Sequence, residues 1–316
     1  MNEVGLPAAA VIFVEDDLVL VREGTDTDEE EDCPPCEIEV TPCDGDNEDI
    51  LLAMGLGCAD RPVIQGSSYG HPDSQAVLTT LRPWSPREGS RFAVLGTGRV
   101  SEFTNPAVDC AFTSTMGGQF DQGTTLPSPI QTHDAGGLDC TEDPDLVGFG
   151  DCSNTISSQF GRGGSAQDYS ELRATLLVPE HAKSIKFDFA FFTSEYPEYV
   201  GSSFNDMFIG WLDSEDWTGN ISFDNAGRPI SVSASFLDYR DDDHNLSELA
   251  STCMTGHGAS SWLTSTAPVR SGEEVTIVFA IFDMGDALYD SFVLLDNFRW
   301  GCDACGGPTT LVEDDA

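Results

Sequence analysis

Apolar and polar residues alternate in short runs along the second half of the chain, with the period of β-strands. Leu172, Ala174, Leu176 and Val178 alternate with Arg173 and Thr175, and Ile185, Phe187, Phe189 and Phe191 with Lys186, Asp188 and Ala190. Ile230, Val232, Ala234 and Phe236 alternate with Ser231, Ser233 and Ser235, which predicts a half-buried strand over 230–236. Successive strand residues point to opposite faces, so each run offers one apolar face to a core. Residues 274–282 (EVTIVFAIF) are apolar on both faces and predict an inner strand. Residues 292–300 (FVLLDNFRW) predict a further strand, and 91–100 one broken by Gly-Thr-Gly. Helix signals are sparse, with 49–57 (DILLAMGLG) predicting one short helix stopped by glycine. Residues 101–165 are rich in Gly, Pro, Ser and Asp with little periodicity, and predict long ordered loops. Short strands divided by such loops predict an all-β fold, an antiparallel β-sandwich with little helix.

One stretch stands apart. Residues 187–212 read as an apolar strand, an acidic and aromatic loop, and a second apolar strand opening on Asn205-Asp206. Loops held by rigid strands carry function, and this one places Glu195, Glu198 and Asp206 between two segments that must be buried.

Composition sharpens the picture. There are 55 Asp+Glu against 14 Lys+Arg, a formal net charge of -41. A field of that sign repels nucleic acid and anionic lipid and favours divalent cations. Residues 1–48 predict an acidic, largely flexible tether, 49–302 a single β-sandwich domain, and 303–316 a short acidic tail. Residues 6–14 (LPAAAVIFV) are too short for a bilayer and lack a basic flank, so they make no clear signal peptide, and membrane insertion is not expected. Ten cysteines (Cys33, Cys36, Cys43, Cys58, Cys110, Cys140, Cys152, Cys253, Cys302 and Cys305) are spread along the chain. That dispersion predicts disulfides stapling the loops in an oxidising compartment, with Cys140–Cys152 and Cys302–Cys305 as local pairs. The competing reading joins Cys33 and Cys36 to Cys302 and Cys305 in a zinc site.

The segments SEYPEYVGSSFNDMFIGWL and VFAIFDMGDALYDSFVLLDNFRW together resemble the bacterial choice-of-anchor L family, best over 168–302. The resemblance implies a secreted or surface-displayed, jelly-roll-like β domain without enzymatic activity. It matches Glu195, Tyr196, Asn205 and Asp206 to the first signature, and Asp283, Asp286, Asp290, Ser291 and Asp296 to the second.

Ca²⁺ takes six to eight hard oxygens. The candidate ligands are Glu195, Asn205, Asp206, Asp283, Asp286, Asp290 and Asp296. The competing reading is that Asp206, Asp290 and Asp296 only cap turns. Weaker acidic runs lie at 44–49 and 238–243. Tyr196, Tyr199, Trp211, Trp217 and Trp262 are candidates for stacking on sugar rings, against the competing reading that most of them are core or rim packing. Gly66-Ser67-Ser68-Tyr69-Gly70 fits G-x-S-x-G, which needs a strand before it and a helix after it. Glu195 and Glu198 form the carboxylate pair a glycosidase would use. The expectation is a non-catalytic extracellular or cell-surface binding or structural module holding Ca²⁺. Its partner is a surface glycan, a protein or further copies of itself. A secreted hydrolase (glycosidase or serine esterase) and a subunit of a self-assembling surface filament are the alternatives.

Overall fold

The computed structural model describes residues 40–45, 48–112, 116–235, 248–302 and 306–312. Their strands are β1 (Val63–Tyr69), β2 (Gln75–Leu78), β3 (Phe92–Gly96), β4 (Ala166–Leu177), β5 (Ser184–Thr193), β6 (Met207–Asp213) and β7 (Thr218–Asn220). There follow β8 (Ile230–Ser231), β9 (Gly258–Ala259), β10 (Leu263–Pro268), β11 (Glu274–Met284), β12 (Ser291–Gly301) and β13 (Thr309–Val312). One sheet runs β1-β4-β11-β6-β7 with β8 on β6; the other runs β13-β10-β5-β12-β3-β2 with β9 on β5. Neighbouring strands within both sheets are antiparallel.

The two sheets share one core. Ile185, Phe187, Phe189 and Phe191 of β5 join Leu172, Leu176, Phe208, Ile277 and Phe279 of the facing sheet in a single buried cluster. Phe187 meets Phe279 edge-on at 4.8 Å between centroids, and Phe189 meets Phe208 at 5.0 Å. Each ring contributes roughly 1.5–3 kcal/mol by leaving water. The all-β, two-sheet expectation is met.

Both outer faces are covered as well, which explains why β11 is apolar on both sides. Val278, Ala280 and Phe282 pack outward with Met207, Ile209 and Trp211 against Leu126, Ile130, Ile156 and Phe160 of the long connection between β3 and β4. On the other sheet Ala190, Phe192, Phe292 and Leu294 pack against Trp84, Phe103 and Trp262. That connection is stapled by Cys140–Cys152, as expected, and tied across the fold by Cys110–Cys253. Cys43–Cys58 fastens the start of the described chain. Cys302 is disulfide-bonded too. Cys33, Cys36 and Cys305 lie outside the described residues, so the Cys302–Cys305 pairing and the zinc alternative do too.

Helix is short, as the sequence predicts. α1 (Ile50–Ala53) is capped by Asp49, whose carboxylate accepts from the Leu51 and Leu52 amides. α2 (Val100–Phe103) and α3 (Ser157–Gly163) lie within the β3–β4 connection. The strand expected over 230–236 is a correction. Among the described residues of that stretch, 230–235, only Ile230–Ser231 pairs; the Ala234 amide then bonds back to the Ser231 carbonyl, and the Ser235 amide donates to Asp224 Oδ2. Serine and aspartate oxygens here offer the backbone local partners that replace a ladder.

Candidate functional site

The two acidic loops meet at one rim of the sandwich. Glu195 follows β5, Asp206 precedes β6, Asp283 lies in the last turn of pairing of β11, and Asp290 precedes β12. β5 pairs with β12 in one sheet, through Thr193 and Ser291, and β6 with β11 in the other, through Met207 and Phe282. Strand order therefore delivers all four acids to neighbouring strand ends. Tyr199 of the first loop packs on Tyr289 of the second at 4.9 Å and on Phe204 at 5.7 Å.

Asp206 joins the two sheets. Its Oδ1 accepts from the Met284 amide at 3.1 Å and its Oδ2 from the Ser291 hydroxyl at 2.7 Å, while its own amide donates to Glu195 Oε2 at 2.9 Å. Thr97 closes the floor by exchanging backbone and hydroxyl bonds with Ser291 at 3.0 Å. Behind it Gly98 lies so close to the Asp290 carboxylate that any Cβ would overlap it.

The electrostatics of this rim are unusual for the molecule. Glu195, Asp206, Asp283 and Asp290 are all at most 2 % exposed. Burial, then mutual repulsion with Asp206, holds the Glu195, Asp283 and Asp290 carboxyls well above the usual range; burial raises Asp206 to about 7. Arg99 acts on Asp290, though weakly beside burial and the neighbouring acids. Elsewhere the fold gives buried acids their own cations. Asp188 is met by Arg299 at 2.8 Å and Arg87 at 3.6 Å, Glu88 by Arg61 at 3.2 Å, and Asp224 by Arg228 at 2.7 Å. Asp151 is instead satisfied by the Thr155, Ile156, Ser153 and Asn220 amides.

Two side chains at the rim are left with polar atoms unmatched. Both carboxylate oxygens of Asp283 and both amide atoms of Asn205 are buried without a well-formed hydrogen bond. Thr97 is close enough to ease the Asp283 charge, but it acts less than burial or the neighbouring acids. A buried polar group without partners costs about 1–3 kcal/mol, more when charged. Among the described residues no three acidic, histidine or cysteine side chains already surround a common point. A cation here would draw on the Asn205 amide oxygen, carbonyls and water besides carboxylates.

The other expected residues fall as follows. Asp286 is half-buried on the second loop, its Oδ1 accepting from the Leu288 amide, and its charge acts on Glu195 and Asp206. Asp296 lies along β12, accepting from the Arg87, Glu88 and Asn297 amides at 2.6, 3.3 and 2.6 Å. These bonds fit the competing reading stated above, in which it serves backbone N–H groups. Tyr196 is half-buried against the core. Trp217 is 1 % exposed and packs in that core, so its ring has no free face for a sugar. Glu198 is exposed while Glu195 is buried, so the two present no common cleft. Gly66-Ser67-Ser68-Tyr69-Gly70 runs along the antiparallel strand β1 with Ser67 and Ser68 exposed, without the strand-turn-helix elbow the motif needs. Asp44 is buried and accepts from the Ser90 amide at 2.7 Å; 238–243 lies outside the described residues.

Sequence reasoning missed Asp168 and Thr97. Asp168 sits on β4 next to the Gln167–Asp283 register position, with a left-handed φ of 47° and a carboxyl raised to about 6 by burial. Its charge reaches Asp283 and Asp290. Only strand pairing brings it near, and no local motif marks it.

Residues 153–298 match the choice-of-anchor L domain. The match covers a little under half the chain and contains both acidic loops, so the resemblance read from the two signatures stands. Comparison with curated proteins gave no match. Among solved structures, a β-glucosidase from Kluyveromyces marxianus aligns at 8% identity and a TM-score of 0.17, covering 47% of this chain and 12% of that one. Its complex with glucose aligns at 10% identity with the same TM-score and coverage. The chain thus spans about an eighth of the length of these enzymes, and so low a TM-score carries no argument about fold or activity.

Proposed function

We propose that the chain is a surface-associated, non-catalytic binding or structural module of the extracellular space, whose choice-of-anchor L rim is locked by a bound Ca²⁺. The disulfides fit an oxidising compartment. No helix among the described residues is long and apolar enough to cross a membrane. One observation carries the reading: four acids are buried together at the seam of the two sheets where the fold supplies so little cationic charge, whereas it supplies arginines to buried Asp188, Glu88 and Asp224. Hard oxygens from carboxylates and an amide favour Ca²⁺ over softer ions, and their spread over two loops suits its flexible coordination better than the strict octahedron of Mg²⁺. Glu195, Asn205, Asp206, Asp283 and Asp290 would hold the ion, with Asp286 at the solvent side.

Calorimetric titration of decalcified protein tests this. The expected result is one Ca²⁺ site per chain that Mg²⁺ does not fill at equal concentration. An isotherm free of binding heat, with no retained calcium by elemental analysis, would contradict it.

A further inference from the structure

A groove lies on the outer face of the sheet that contains β1, where that edge strand and β4 meet the long β3–β4 connection. It encloses about 360 Å3, within the roughly 300–1,000 Å3 that small-molecule sites occupy. Side chains two apart on a strand share a face. The antiparallel register sets Tyr69 opposite Glu171 and Ser67 opposite Arg173, with Gln65 next along the same face of β1. These residues form the floor, and Gln122, Pro127 and Ser128 of the connection form the wall.

The groove has its shape before a ligand arrives. Leu126 and Ile130, which bracket Pro127 and Ser128, are buried against the sheet. Gly123 and Ala166 exchange backbone bonds at 3.3 and 2.9 Å, and Gln122 Nε2 donates to the Phe120 carbonyl at 3.2 Å. The Tyr69 hydroxyl donates to the Gln119 carbonyl at 3.2 Å, and its ring meets Phe120 edge-on at 5.8 Å between centroids. A fixed site lowers the ordering cost of binding.

The groups that would meet a ligand are accessible. Tyr69 is 42 % exposed, Gln65 and Ser67 are exposed, and the Arg173 side chain is 27 % exposed. Glu171 lies beneath them, 5 % exposed, and acts through Arg173. Its two oxygens accept from Arg173 Nη2 at 3.0 and 3.1 Å, and Oε2 accepts also from the Tyr169 hydroxyl at 2.5 Å. A guanidinium carries five N–H donors, so the Nη1 pair stays available to a ligand. Among the described residues Arg173 is the one cation lining the groove, and Glu171 matches its charge. With a net charge of -41, that balance rules against phosphate, sulfate or acidic sugars. What remains is an aromatic ring beside a proline, two side-chain amides, two hydroxyls and a neutralised guanidinium. A neutral sugar presents the complement: an apolar ring face to lie on the tyrosine, and hydroxyls that both donate and accept.

We infer that this groove binds a neutral saccharide, with Tyr69 as the stacking platform and Arg173 as the principal hydrogen-bond donor. The site rests on the chain being a binding module, as read above, and takes nothing from Ca²⁺ at the rim, so the two fail separately.

The test applies the full chain, in Ca²⁺ and again in EDTA, to an array of neutral and acidic glycans. Calorimetric titrations with lactose, cellobiose, maltose and mannobiose then measure affinity, and a urea melt of each variant checks its folding. Neutral glycans should bind in both buffers. Arg173→Gln should weaken binding about 10-fold or more, the range for lost hydrogen bonds to a charged group. Tyr69→Ala should weaken it about fivefold or more by removing the ring, while Tyr69→Phe should keep most of the affinity. Tyr69 is exposed on an edge strand, so its variants keep the test decisive if Arg173→Gln disturbs the Glu171 pair. Absence of neutral-glycan binding, a preference for acidic glycans, binding that is lost in EDTA, or affinity unchanged in Tyr69→Ala would each overturn the assignment.

Discussion

Asp283 and Asp188 are both fully buried aspartates, yet they pose opposite problems. Asp188 has Arg299, Arg87, the Thr264 hydroxyl and the Asn297 amide around it. Asp283 has Asp206 and Asp290, which raise its proton affinity. Asp283→Asn should therefore read differently with and without metal. In EDTA near pH 7.5 the variant should match or exceed the native chain in urea melts by about 1 kcal/mol, because it removes a buried acid lacking a counter-ion. In Ca²⁺ it should be the less stable of the two. Asp296 gives a pH test away from the rim. Burial raises its carboxyl to about 8, against the pull of the Arg87, Asn297 and Glu88 amides, with the Glu88 charge adding to the rise. A raised carboxyl keeps its proton in the folded state, so its stabilising contribution is present at low pH and is lost as pH rises from about 4 through about 8. The melting-temperature advantage of the native chain over Asp296→Asn should shrink across that window; a constant difference would contradict the shift. At this scale the sequence marked Glu195, Asn205 and Asp206 by their place between apolar flanks. It could not separate Asp290 from Asp296, since both stand beside strand residues of the same kind. What separates them is long-range: Asp296 meets the Arg87 amide, 209 residues away in sequence, just before the register shift between Asp296 and Arg299.

At the scale of elements, strands with clean alternation were legible because burial on one face fixes their register. The stretch 230–236 alternates equally well and still turns after Ser231, since side-chain oxygens capture its amides. The apolar outer face of β11 signalled a cover, but what covers it was not legible in a loop without periodicity. Leu126 and Ile130, and Ile156 and Phe160, are each four apart, but only the second pair sits at a helix, the short α3, and the two pairs are too brief and too far apart in sequence to read as one element. Two changes probe this level. Gly98→Ala should displace the Asp290 carboxylate, lower the melting temperature and blunt the Ca²⁺ response together. Replacing both Cys110 and Cys253 by serine opens a link between residues 143 apart in sequence. Loss of a native disulfide typically costs about 2–5 kcal/mol, and denaturant melts should show a loss in that range.

Over the whole molecule, charge dominates. A net of -41 repels itself in the folded state, so added NaCl should raise the melting temperature of metal-free protein by screening. Screening acts on every acid alike, whereas a bound ion acts at one rim. Thermal melts of decalcified protein at fixed high salt, with Ca²⁺ or Mg²⁺ added at equal ionic strength, separate the two most directly. A ligand at 100 times its dissociation constant stabilises by about 2.7 kcal/mol, and a domain of this size then melts on the order of 5–10 °C higher. That rise is expected with Ca²⁺, is expected to be small with Mg²⁺, and should vanish in Asp283→Asn. Equal melting temperatures with and without Ca²⁺ would contradict the cation-locked rim.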